Sequence, residues 1–429
     1  MSASFTRAIN VLREQVDASV ASFFSACTHC GLCSEACLFY TETGDPNYIP
    51  IYKLEPFRHL YEQDFTLAGR VKHIFGLSPE LTDVALAQWS ELVYDSCTLC
   101  GRCAMVCPVG NNPGAMVRKL REGMSVAGYA PDSLVDATQR NVHLGSAMGV
   151  SYKTLKAQLI HLETDIGLTV PVDVQGADYM LLLSSMEIVQ FPEFISAVTR
   201  IFHQAGVSWT ISSTAFEASN SGIQIGASDI AQQIVERTIK GAQALGVKTV
   251  ITPECGHSYT ALRWEGPTLM GKPLPFKVRH ILEVVDQLHQ QGRIHFDPNT
   301  KDTRPLTYHD PCQIARQGGV IEAPRRLLNA VASDFREMAA HGKMNWCCGG
   351  GGGVSAIERA DPLRSTVFKK KKQQIEEVGV HTVVSACSNC RMMLEQGIED
   401  NSMDVEVISL TELVADHLVS VEQTVRDVA

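Results

Sequence analysis

Two cysteine runs near the start of the chain limit what it can fold into more than any other feature. Cys27, Cys30, Cys33 and Cys37 stand as C-x-x-C-x-x-C-x-x-x-C, and Cys97, Cys100, Cys103 and Cys107 repeat the spacing, with Pro108 after the last. A pair of such runs is the signature of a protein holding two [4Fe–4S] clusters, in which the fourth cysteine of each run serves the other cluster. That rule assigns Cys27, Cys30, Cys33 and Cys107 to one cluster, and Cys97, Cys100, Cys103 and Cys37 to the other. The alternative with the same spacing is a pair of zinc knuckles. Leu38 stands where proline usually follows the first run. That loosens a turn and removes no ligand.

The surroundings of the runs read as helical. Phe5, Ile9, Leu12, Val16, Val20 and Phe23 recur at helical spacing and predict one helix over 1–26. About sixty residues separate the runs, with helix-like stretches at 51–63 and 79–94, and a further helix at 117–127. His29, inside the first run, reads as a solvent-facing loop residue, with hydrogen bonding to a cluster as the alternative. His73, His143 and His161 read as ordinary helix or surface residues. Residues 130–175 carry no cofactor motif and read as a helical connection.

From Ala177 the pattern becomes strand–helix alternation. Strands are expected at 179–184, 208–212 and 247–252, with helices at 193–205 and 227–245. The order then repeats: strand 305–308, helices 321–331 and 362–378, strand 380–386. Gly246-Val247-x-Thr249-Val250-Ile251 matches Gly379-Val380-x-Thr382-Val383-Val384, so an internal duplication of about 130 residues is expected.

The two halves differ where chemistry would occur. The second carries His309-Asp310-Pro311-Cys312, then Cys347-Cys348 opening the glycine run Gly349 to Gly353, then Cys387-x-x-Cys390. Five thiols exceed the four ligands of a zinc site and suit iron and sulfide. Gly349, Gly350 and Gly351 would let backbone press against inorganic sulfide. A flexible loop and a phosphate cradle are the alternatives, but no Gly-Lys-Ser/Thr follows the run. The first half retains only Cys255, which an ungapped alignment sets opposite Ser388. Cys255 reads either as a buried relic or as a thiol facing the site. His257 and His309 are candidate proton donors, since histidine titrates near neutral pH. Lys369 to Lys372 reads as a solvated helix face, with docking of an acidic partner as the alternative.

The set Cys312, Cys347-Cys348-Gly349 and Cys387-x-x-Cys390 resembles the cysteine-rich (CCG) domain of heterodisulfide reductase. With the two N-terminal runs, the chain is similar to the catalytic, D-type subunit of that enzyme and to its DsrK and TmcB relatives. The resemblance implies that Cys312, Cys347, Cys348, Cys387 and Cys390 hold a third [4Fe–4S]-type cluster, cubane or non-cubane, where a disulfide is cleaved or formed. It implies a cytochrome b-type or quinone-interacting membrane partner with other redox subunits. The implied substrate is a heterodisulfide or the disulfide of a DsrC-like carrier protein. The interval between the runs resembles the α-helical ferredoxin domain of succinate dehydrogenase iron–sulfur subunits. A relay subunit of a flavin dehydrogenase, of the glycerol-3-phosphate dehydrogenase or glycolate oxidase kind, is similar in layout and is the second reading.

The expected architecture is therefore α+β and multidomain. Residues 1–150 form an α-helical two-cluster ferredoxin domain and 151–175 a connector. Residues 176–295 form a first CCG-like lobe and 296–429 a second lobe bearing the catalytic cluster. A net charge of −10 argues against nucleic acid as a partner. No apolar run of about 18 residues or more is present, and residues 1–17 are mixed rather than signal-like. Thirteen of the fourteen cysteines fall in ligand-type clusters. Such usage points to a reducing, cytoplasmic location, with the membrane reached through a partner.

Overall fold

The computed structural model describes residues 2–77, 81–297 and 299–419. Its contacts divide the chain into two compact units, both discontinuous in sequence. The first takes Met1–Thr138, Ser221–Ile230 and Trp346–Lys371; the second takes the remainder. The expected boundaries at 150, 175 and 295 do not coincide with this division. Two later segments return to the N-terminal unit, which strand–helix alternation alone does not reveal.

The first unit is helical. The single N-terminal helix expected from periodicity is two helices, Ala3–Glu14 and Ala18–Ala26. The break has a local cause: the Asp17 carboxylate accepts the Val20 N–H at 3.0 Å and caps a new helix. The apolar stripe continues across the break, and Phe5, Leu12, Val20 and Phe23 are buried. Helices Glu55–Phe65 and Asp83–Asp95 fill the interval between the runs. The expected start of the latter at 79 lies outside the described residues. Helix Pro113–Val126 closes this core, its Asn112 accepting the Ala115 N–H.

Both cysteine runs follow a helix directly and adopt the same backbone. His29 and Gly31 lie at φ 56° and 80°; their counterparts Leu99 and Gly101 lie at 55° and 74°. Left-handed backbone costs a non-glycine residue roughly 1–2 kcal/mol. Its use is visible in each run: the His29 N–H donates to the Cys27 thiol, and the Leu99 N–H to the Cys97 thiol. The side chain of His29 is exposed.

The second unit holds two four-stranded parallel sheets. One contains β1 (Tyr179–Leu181), β2 (Trp209–Thr210), β3 (Thr249–Thr252) and β4 (Lys277–His280), in the order β2-β1-β3-β4. The other contains β5 (Leu306–His309), β6 (Phe335–Arg336), β7 (Thr382–Ser385) and β8 (Glu406–Ser409), in the order β6-β5-β7-β8. Both β5 and β7 are buried along their length, as strands covered on both faces must be. Four of the expected strands shorten by two or three residues, and the one expected at 305–308 shifts by one to Leu306–His309. The edge strands β4 and β8 escape the sequence pattern because Lys277, Arg279 and Glu406 interrupt it.

Helices join the sheets crosswise. Helix Glu193–Gln204, which follows β1, packs on Leu410–Asp416, which follows β8. Helix Ile281–Gln290, which follows β4, packs on Glu322–Val331, which follows β5. Arg200–Asp416 at 2.9 Å and Arg326–Asp286 at 2.6 Å pin the two pairs. Buried Ile201, Phe202, Leu288, Leu327 and Leu328 fill these seams. Each such side chain contributes about 1.5–3 kcal/mol by leaving water, well above an exposed ion pair at roughly 0–1 kcal/mol. Apolar burial therefore holds the crosswise pairs, and the ion pairs fix their register.

Candidate iron–sulfur sites

In the first unit the two runs interleave. Around Cys103 stand Cys100, Cys97, Cys37 and Cys33. Around Cys27 stand Cys107 and Cys30. Cys37, Cys97, Cys100 and Cys103 line one cavity together with Lys53, Pro113 and Gly114. Burial pushes the Cys103 thiol well above its ordinary range and the Cys33 thiol to about 11. Thiols so desolvated stay protonated in an apolar pocket, and a bound metal removes the proton outright. The donor set around the cavity is soft sulfur without histidine or carboxylate, which fits an iron–sulfur cluster.

The segment 346–371 packs onto the second run within the same unit. Cys347 Sγ lies 3.3 Å from Thr98 Oγ1, and both Cys347 and Cys348 are buried. The Arg102 guanidinium stacks 3.5 Å over the Trp346 ring. Arg359 pairs with Asp95 at 2.7 Å, and Lys370 with Glu42 at 3.1 Å. Gly352, at φ 62°, sits so close to the run that an added Cβ would lie 2.8 Å from Thr98 C. An added Cβ on Gly353 would lie 2.9 Å from Leu134 Cδ1. These two glycines are thus demanded by protein packing, where the sequence reading assigned the glycine run to sulfide contact. Gly349 is also left-handed, at φ 91°, and the carbonyls of Gly350 and Gly351 accept the N–H groups of Ser355 and Val354.

In the second unit the chemistry-bearing residues sit at strand ends. His309 ends β5 and is buried, as are Asp310 and Cys312 just after it. Asp310 organises the loop that leads to Cys347. Its carboxylate takes both Arg325 Nη1 and Nη2 at 2.7 Å and the Gly342 N–H at 2.6 Å. Its carbonyl accepts the Asn345 amide. Arg316 holds the Lys343 carbonyl at 2.6 Å. The sequence reading quoted Asp310 without this role.

Cys387 follows β7 and caps helix Ser388–Asp400, with Cys390 in its first turn. The Cys387 thiol is held below its ordinary range, first by the Cys390 side chain and then by the N–H groups of Gly256, Cys390 and Asn389. A helix N-terminus favours thiolate in this way. A ring nitrogen of His309 and Cys390 Sγ lie within 4.8 Å of each other. Cys255 caps the short helix Gly256–Thr260 with φ −137° and ψ 97°, close to the −149° and 113° of Cys387. The ungapped match of Cys255 to Ser388 is therefore one residue off in space. A tight turn at Pro253-Glu254, with the Cys255 N–H on the Pro253 carbonyl at 2.6 Å, absorbs the extra residue. Cys255 stands beside Cys387, and burial pushes its thiol up to about 12. Gly256 has no room for a side chain: a Cβ would lie 2.8 Å from Gln313 Cβ, in the turn after Cys312. His257 is half-buried in the same short helix.

A buried carboxyl network underlies these caps and was not read from the sequence. Glu187 is fully buried, accepts the Ser184 N–H at 2.7 Å, and lies 2.9 Å from Ser388 Oγ. The Ser388 hydroxyl also lies 3.3 Å from the Glu254 carbonyl. One hydroxyl hydrogen cannot serve both acceptors. The geometry is satisfied when Glu187 carries the other proton, and burial pushes that carboxyl to about 8. Glu254 in turn binds the N–H and hydroxyl of Thr411 at 3.0 and 2.7 Å. Ser184-x-x-Glu187 has the capping-box spacing, but burial of its glutamate leaves no mark in sequence.

Comparison with known proteins agrees with this chemistry. Residues 24–111 match a 4Fe-4S dicluster domain, and residues 306–395 match a cysteine-rich domain. The chain is 28% identical to the Hdr-like menaquinol oxidoreductase iron-sulfur subunit 2 of Archaeoglobus fulgidus, over 92% of this chain and 80% of that protein. It is 27% identical to the D-type subunit of the dihydromethanophenazine:CoB–CoM heterodisulfide reductase of Methanosarcina barkeri, over 92% of this chain and 93% of that protein. It is 25% identical to the EtfAB:quinone oxidoreductase of Syntrophomonas wolfei, over 87% of this chain and 55% of that protein. Among the described residues no helix is long and apolar enough to cross a membrane. The two matched domains support iron–sulfur clusters in this chain, which over most of its length is similar to the D-type subunit of heterodisulfide reductase and to Hdr-like menaquinol oxidoreductase iron–sulfur subunits.

Proposed function

We propose that the chain passes electrons, one at a time, between a membrane quinol or cytochrome partner and a disulfide/thiol couple. In this reading Cys27, Cys30, Cys33 and Cys107 hold one [4Fe–4S] cluster, and Cys97, Cys100, Cys103 and Cys37 hold a second. Cys312, Cys347, Cys348, Cys387 and Cys390 hold the third, with Gly349 to Gly351 beside it. The third cluster, when bound, would supply one-electron redox chemistry and iron with affinity for soft sulfur donors. The balance is one disulfide, two electrons and two protons giving two thiols.

The observation that carries the reading is the seat of Cys347 on Thr98, inside the second cysteine run. A ligand of the proposed catalytic cluster is thereby fixed to the loop that holds a relay cluster. The protein's own residues would handle protons and orientation. His309 stands beside Cys390, and Glu187 holds a proton next to the Cys387 cap. His257 and Cys255 border the same caps. The two sheets, with one strand order and crosswise helix pairs, support an internal duplication with lobes 176–295 and 296–429, of which only the second keeps the full thiol set.

The names of the relatives favour a menaquinol- or methanophenazine-linked partner and a heterodisulfide as substrate; the disulfide of a DsrC-like carrier protein is the alternative substrate. A relay serving a flavoprotein is the second reading, favoured by the match to an EtfAB:quinone oxidoreductase. Disulfide-dependent reoxidation of the dithionite-reduced holoprotein separates them. The proposal expects reoxidation by a heterodisulfide, lost in Cys387→Ser while both relay clusters remain reducible. Reoxidation that persists in Cys387→Ser would defeat it.

A further inference from the structure

The two cysteine sets of the first unit sit in opposite electrostatic surroundings. Lys53 and Arg121 are both buried, at 2% and 0% exposure. The Lys53 ammonium donates to the Ser96 carbonyl and lies 5.3 Å from the Phe39 ring centre and 5.7 Å from that of Tyr48. It also lines the cavity bounded by Cys37, Cys97, Cys100 and Cys103. The Arg121 guanidinium donates to the Cys97 carbonyl at 2.7 Å, to Val93 at 2.8 Å, to Gln224 at 2.8 Å and to Gly352 at 2.6 Å. It sits 4.7 Å from the Tyr94 ring centre. Neither cation contacts a carboxylate among the described residues. Both act electrostatically on Cys97.

A buried cation with no carboxylate in contact is costly, and Asp95, the carboxylate that acts on Arg121 from a distance, is itself paired with Arg359. A structural role explains the hydrogen bonds of Arg121 but does not explain why a charge is placed there at all, nor why a second one lines the cavity. Four thiolates around iron and sulfide carry net negative charge, and they supply the missing counter-charge. The other set differs. The cation beside Cys27 is Arg58, and it is already paired with Glu55 and Glu62. Its field still reaches Cys27, but the two carboxylates oppose it there.

We propose that Lys53 and Arg121 are potential-setting residues: their uncompensated charges hold the cluster of Cys37, Cys97, Cys100 and Cys103 at a higher potential than that of Cys27, Cys30, Cys33 and Cys107. Reduction adds one negative charge to a cluster, and nearby positive charge favours that state. Electrons arriving at the first set would then run downhill to the second. Arg121 binds the Cys97 and Gly352 carbonyls with the same guanidinium, so the electron-accepting site is also the one carrying the Cys347 loop. The inference rests on the cluster assignment above and is independent of the disulfide reaction.

EPR-monitored potentiometric titration of the purified holoprotein tests it, with the two signals assigned through Cys27→Ser, which removes one of them. Wild type should show the Cys97-set signal appearing first on reduction. Lys53→Met, nearly equal in volume, should move that signal to lower potential and leave the other in place. Arg121→Met should do the same, and Arg121→Lys, which keeps the charge, should restore most of the wild-type midpoint. Iron content is measured alongside, so Lys53→Met carries the test should Arg121→Met fail to load iron. A Lys53→Met protein with full iron and an unmoved midpoint, or with both signals moved equally, would overturn the proposal. Loss of disulfide turnover with the potentials as expected would count against the catalytic reading alone.

Discussion

The two sheets of the second unit share one strand order and nearly one cap geometry, yet they differ in chemistry. After β7 the chain gives Cys387-Ser388-Asn389-Cys390 at the start of a thirteen-residue helix. After β3, at the matching place, it gives Cys255-Gly256-His257-Ser258 at the start of a helical stretch that runs through a π-helical turn at Ala261–Glu265 to Met270. After β5 stands Cys312, and after β1 stand Ser184 and Ser185. What the first sheet keeps is support. Glu187 and Glu254 reach from its strand ends to Ser388 and Thr411 on the other. Gly256 offers its N–H to Cys387. The comparison teaches that a sheet without the thiol set can still supply backbone and carboxyl groups that shape the caps of its neighbour.

The largest expected effect removes the thiols that distinguish the two. Cys387→Ser and Cys347→Ser should each lose the third cluster, seen as a fall of about one third in iron, and lower disulfide turnover roughly 10³-fold or more, as removal of one member of a catalytic set does. Cys255→Ser should keep all the iron. If Cys255→Ser instead loses a cluster, the first sheet has retained a ligand and the asymmetry is smaller than described.

Next comes the loop that carries Cys347. Asp310 is buried and accepts Arg325 and the Gly342 N–H. Asp310→Ala leaves the Gly342 N–H and part of the Arg325 guanidinium without an acceptor, while Arg325 keeps its pair with Glu337, and a buried donor left unsatisfied costs about 1–3 kcal/mol. Thermal unfolding should shift down accordingly, with Arg200→Ala, at an exposed pair, as the small-effect control.

The smallest effect is pH-dependent. The Glu187 carboxyl is raised from its usual 4.5 to about 8 by burial, with Glu254 and Cys255 facing it. A raised carboxyl contributes stability that is fully present below pH 4.5 and lost as pH rises through about 8. Wild type should therefore lose melting temperature between pH 5 and pH 9 more steeply than Glu187→Gln. Parallel profiles would show that Glu187 is ionised throughout.

Much of this was legible in the sequence, for identifiable reasons. Cysteine spacing is set by coordination geometry, so both runs and the late thiols stand out without any structure. Buried strands such as β5 and β7 hold no Lys, Arg, Asp or Glu, so their ends announce where Cys312 and Cys387 lie. The edge strands β4 and β8 carry charges and did not stand out. The break at Asp17 was hidden because the apolar stripe runs through it. The one-residue turn at Pro253-Glu254 shifts Cys255 in space without altering the repeat's pattern. Arg121 and Lys53 look like surface residues in sequence, and only tertiary packing buries them.

The most direct test of the central claim is EPR of the holoprotein oxidised in the presence of a thiol, with iron and sulfide quantified. The account predicts a paramagnetic signal that forms on oxidation with thiol, is absent without it, and is absent from Cys347→Ser, whose two relay clusters still give their reduced signals. A signal that persists in Cys347→Ser, or a fully loaded wild type that never shows one, would contradict it.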